Sequence, residues 1–119
     1  MSELWHEERL LIDGKLVAAQ DGATFENVNP ATEEVIGVAA DGGEADMDAA
    51  IAAARKAFDE TSWSTDHAFR VHCLRQLHAA MQKHADELRA TTVAEVGCPI
   101  SLTYGAQLDA PVEGITWVA

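Results

Sequence analysis

Few side chains in this sequence could do chemistry, and Cys98 is the first to test. It stands in EVGCPISLTYG (residues 95–105), between a glycine and a proline, with acids and a tyrosine nearby. A nucleophilic thiol needs a helix amino terminus, a neighbouring base or an oriented histidine. Cys98 instead follows the predicted carboxy terminus of a helix, where the negative end of the dipole opposes a thiolate. Glu95 acts in the same direction, and no histidine is close in sequence. The residues therefore favour a structural Cys98. Cys73, on a helix face, reads as small packing filler.

The five histidines, His6, His67, His72, His78 and His84, include no pair four residues apart. A two-histidine zinc face on a helix is thus excluded. Steps of six turn about 240° around a helix, so His72, His78 and His84 point in different directions. DGGEADMD (residues 41–48) lacks the carboxylates and the glycine that a calcium loop needs at its third, fifth and sixth positions. GVAADGG (residues 37–43) has no Lys-Ser or Lys-Thr after its glycines, so it is no phosphate loop. GxGxxG and GxSxG are both absent.

The elements around these residues divide the chain. Its first third reads as strands. RLLIDGKLVAA places Asp13-Gly14 between two apolar runs, the signal of a tight hairpin. TFENVNP alternates and stops at Pro30, and EEVIGVAA is a further extended, β-branched run. The remainder reads as helix. DGGEADMDAAIAAARKAFDE aligns Met47, Ile51, Ala54 and Phe58 on one face. Asp46 and Asp48 in its early turns, and Arg55 and Lys56 near its end, suit the dipole. Ser64 or Thr65 is expected to cap the next helix. That helix carries Leu74, Leu77 and Met81, then Ala85 and Leu88, with a break near His84. Gly97 and Pro99 end the run. A last helix contains Val112, Ile115 and Trp117, with Pro111 in its first turn. No cap follows ITWVA, so this helix is expected to continue past Ala119.

Composition narrows the class. With 119 residues the chain is one domain at most, and 48% hydrophobic residues argue against disorder. A net charge of -12, from 20 acids against 8 bases, opposes binding to nucleic acid or to an anionic membrane. No apolar run approaches the roughly 20 residues of a membrane span. The start, MSELWHEERLLID, has no secretory pattern. Two cysteines make no disulfide framework, so a reducing cytoplasmic setting is expected.

In their order and spacing these segments resemble the amino-terminal part of the NAD(P)-dependent aldehyde dehydrogenases. The resemblance rests on LLIDGKLV, FENVNPATEEVIGVAA, DMDAAIAAARKAF, the tryptophan of SWS, RVHCLRQLHAAMQKHADELRATTVAEVGCP and LDAPVEGITWVA. It covers nearly everything after about residue 9. It implies an α/β fold in which an amino-terminal β-hairpin and strands are followed by helices. Residues 1–119 would be an incomplete segment of a Rossmann-type domain whose parallel sheet is mostly missing. In the family, lysine usually stands where Cys98 stands, in a Gly-Lys-Pro turn closing a helix. The nucleophilic cysteine, general-base glutamate, oxyanion-binding asparagine and nicotinamide loops would all lie beyond Ala119. The resemblance thus assigns no catalytic or cofactor-binding residue here. Some members hold a monovalent cation at positions that look like Asn27, Val28 and Gln107. Glutamine lacks the charge of the family's aspartate, so ordinary loop packing is expected and no metal ligand is assigned.

The complete enzyme implied would oxidise an aldehyde to a carboxylic acid with NAD or NADP, as a homo-dimer or homo-tetramer. A truncated, non-catalytic relative that binds only subunits or partners is the alternative. A small acidic carrier would need Asp-Ser-Leu, but Ser101-Leu102 follows isoleucine.

Overall fold

The computed structural model describes residues 7–118. They form two units, residues 7–28 with 35–64 and residues 29–34 with 65–118. Strand pairs come first and helices follow, an α/β arrangement.

In the first unit, β1 (Arg9–Ile12) and β2 (Lys15–Ala18) pair antiparallel, with Leu10 opposite Val17 and Leu11 opposite Leu16. The connection is Asp13-Gly14, at φ 52° and 71°. Two successive left-handed residues make a type I′ turn, whose twist matches the strands it joins. β3 (Thr24–Val28) pairs antiparallel with β4 (Val35–Ala40), and the register shifts at Asn27/Val28. An isolated parallel bridge joins Glu7 to Ala39, and the Ala40 amide donates to the Glu7 carbonyl at 3.3 Å.

The alanine-rich α1 (Glu44–Glu60) follows. Its amino terminus is organised by Asp46, which is buried. Both Asp46 carboxylate oxygens accept from the Gln20 amide, at 3.1 and 3.2 Å, and one also accepts from the Gly43 amide at 3.0 Å. This carboxylate caps the helix from its third position and ties it to the end of the first hairpin. One expectation for α1 needs correction. Its last turn holds no base and ends in Asp59-Glu60. Arg55 sits one turn too early to serve the helix end, and it pairs with Asp59 and lies over the Phe58 ring at 4.7 Å. The Met47, Ile51 and Phe58 stripe is open to solvent, at 62%, 59% and 48% exposure. Met47, Ala50, Ala53, Ala54 and Ala57 border the β1–β2 hairpin. A short 3₁₀ turn, Ser62–Ser64, closes the unit.

The second unit is built from α2 (His67–Lys83), α3 (Ala85–Val96), the single turn α4 (Ile100–Thr103) and α5 (Asp109–Val118). The cap of α2 is Asp66, not Ser64 or Thr65: its Oδ1 accepts from the Phe69 amide at 2.9 Å. A cap accepts from an amide about three residues on, and Ser64 is already committed to the 3₁₀ turn. The predicted break at His84 is present. At φ -103° and ψ 17° it leaves helical geometry, closing α2 through its amide to the Ala80 carbonyl and opening α3 through its carbonyl to the Leu88 amide. α2 packs on α5, where Val112 and the preceding Leu108 are buried. Pro111 is the third residue of α5, where no intrahelical partner is required of its nitrogen. Among the described residues only Ala19, Leu108 and Val112 are buried apolar residues, and Thr103 alone is fully buried.

Candidate functional site

Gly97 ends α3 in the left-handed conformation, φ 69° and ψ 18°, and its amide donates to the Val93 carbonyl at 3.0 Å. Cys98 follows at once, half-buried, with Pro99 leading into α4. The thiol therefore stands between the carboxy terminus of α3 and the start of the single-turn α4. Both Cys98 and Cys73 are free.

The three residues at the candidate cation positions fall in different units. Asn27 and Val28 sit together at the register shift of β3, Asn27 half-buried and opposite Gly37. Gln107 is exposed in the turn before α5, its amide donating to the Leu102 carbonyl at 3.1 Å. Among the described residues, no group of three or more His, Cys, Asp or Glu side chains is placed to hold a metal ion. His72 and His84 are exposed, and His84 Nδ1 lies 3.1 Å from Glu87. His78 is half-buried with its Nε2 3.5 Å from Glu113, whose Oε1 also accepts from Gln82 at 3.0 Å. His67 Nδ1 contacts Arg70. His6 lies outside the described residues.

A dinucleotide in an α/β protein sits beyond the carboxyl ends of parallel strands, over a glycine-rich turn into a helix. The described strands form two antiparallel pairs. Among the described residues, the glycine turn that leads from a strand into a helix, at Gly42-Gly43, already gives its Gly43 amide to Asp46. A carboxylate at that position would repel a phosphate. These residues do not fit a dinucleotide.

The polar centre of the second unit was not legible in the sequence. Arg89, on α3, is only 9% exposed. It donates through Nη1 to Thr103 Oγ1 and through Nη2 to Asp109 Oδ1, both at 2.8 Å. Thr103 is fully buried, and its hydroxyl donates to the Ile100 carbonyl at 2.6 Å. The guanidinium lies 3.9 Å above the Tyr104 ring. One planar cation thus joins α3, α4 and α5, a task suited to its forked donors and flat face. Its partners are 14 and 20 residues away along the chain, so no local pattern reveals them. At the chain's other end, the exposed Arg9 guanidinium has its pKa raised by its hydrogen bond to Glu7 and by the charge of that carboxylate.

Known proteins share this fold. Residues 16–119 match the model of the aldehyde dehydrogenase family. The mitochondrial aldehyde dehydrogenase of Leishmania tarentolae is 37% identical over 95% of this chain and 22% of its own. The NADP/NAD-dependent aldehyde dehydrogenase PuuC of Escherichia coli (strain K12) is 34% identical over 95% of this chain and 23% of its own. The NAD+ complex of the Bacillus cereus aldehyde dehydrogenase superposes with a TM-score of 0.86 at 35% identity, covering 93% of this chain and 23% of that one. The chain thus spans about a fifth of the length of the curated relatives it matches. In sequence and in fold, the chain belongs to the aldehyde dehydrogenase family, of which it represents an amino-terminal portion.

Proposed function

We propose that residues 1–119 are the amino-terminal scaffold of an enzyme that oxidises an aldehyde to a carboxylic acid with NAD or NADP. In this reading they form an incomplete segment of a larger domain and contribute no catalytic, cofactor-binding or metal-ligating side chain. The observation that carries the reading is the agreement of nearly the whole chain with NAD+-complexed aldehyde dehydrogenase at a TM-score of 0.86. The placement of Cys98 after a left-handed glycine at a helix carboxy terminus supports the second half of it.

The work of these residues is then positional. The Asp46 carboxylate fixes α1 against the first hairpin, and Arg89 fixes the order of α3, α4 and α5. The cofactor and the aldehyde are held by other parts of the complete enzyme. Assembly into a homo-dimer or homo-tetramer and a reducing cytoplasmic setting belong to the same proposal, the latter supported by two free cysteines. Among the described residues, no helix is long and apolar enough to cross a membrane.

The test is to determine the intact mass of the native gene product and to follow its aldehyde-dependent NADH and NADPH formation by absorbance. A mass several times that of this chain, with turnover that survives Cys98→Ser, is expected. A native product of this size that binds only partner subunits would favour the non-catalytic alternative.

A further inference from the structure

We draw no further inference here: the strongest candidate, the open apolar groove between the β1–β2 hairpin and the face of α1 carrying Met47, Ala50 and Ala54, is an unpartnered surface of the first unit, and nothing in the structure shows what covers it.

Discussion

A Cβ placed on Gly97 would fall 2.7 Å from Cγ of Pro30. Real Cβ atoms essentially never come so close, so the carboxy terminus of α3 and the Asn-Pro turn are in contact only because Gly97 has no side chain. The turn is itself well ordered: Asn29 Oδ1 accepts from the Ala31 amide at 2.8 Å, and the Asn29 amide donates to the Glu34 carbonyl at 2.9 Å. Two of the segments that carry the family resemblance, residues 25–40 and 70–99, therefore meet at one point.

Gly97→Ala should be among the most damaging small substitutions in the second unit. It adds left-handed strain of about 1 kcal/mol and an overpacking cost of about 1–3 kcal/mol against Pro30. In a Pro30→Ala background the second cost should largely disappear. Chemical unfolding of the intact gene product in all four combinations gives the coupling directly. Equal costs of Gly97→Ala in both backgrounds would show that the contact carries no energy.

Cys98→Lys should be neutral or stabilising by about 0.3–1 kcal/mol, because it adds a cation at a helix carboxy terminus. The turnover of the intact gene product should be unchanged. A hundredfold loss of turnover in a folded variant would assign the thiol a chemical role and contradict the structural reading.

Arg89→Met should destabilise the second unit by about 3 kcal/mol, since it leaves Thr103 and Asp109 without the donor that joins them. Arg89→Lys should not rescue it, because a point charge cannot span both acceptors and stack on Tyr104. A double-mutant cycle with Asp109→Asn should show coupling. Additive effects, or full rescue by lysine, would reduce the cluster to a simple charge.

Residues 1–119 by themselves should unfold without a sharp transition, or should self-associate. Beyond the Met47, Ile51 and Phe58 stripe, Val96, Ile100, Leu102 and Trp117 are also exposed, Trp117 at 91%. Each large apolar side chain left in water forgoes roughly 1.5–3 kcal/mol of burial, against a net domain stability of about 5–15 kcal/mol. Urea unfolding followed by tryptophan fluorescence and far-UV circular dichroism, at several concentrations, reads this out. A monomer with one sharp, coincident and concentration-independent transition would mean that these residues make a self-sufficient domain.

What could be read from the sequence was local in origin. Asp13-Gly14, Pro30, Gly97 and Pro111 act on their own backbone, so the hairpin, the end of β3, the end of α3 and the start of α5 follow from neighbours alone. The break at His84 was visible as an interruption in the helical stripe. What could not be read depended on distant partners. Asp46 looked like a dipole-favourable acid, yet its role is set by the amide of Gln20, 26 residues away. Arg89 lies in a stretch with no distinguishing pattern, and only the fold brings Thr103, Tyr104 and Asp109 around it. The Asp66 cap was missed by one or two residues because three adjacent side chains were all chemically competent. Of the candidate site, the helix end before Cys98 was legible, since Gly97 and Pro99 mark it locally.

The most direct measurement is aldehyde-dependent NADH and NADPH formation by the purified 119-residue chain, before and after alkylation of Cys98. The account predicts absorbance traces indistinguishable from the blank across a panel of aldehydes in both cases. Turnover above the blank that disappears on alkylation of Cys98 would contradict it.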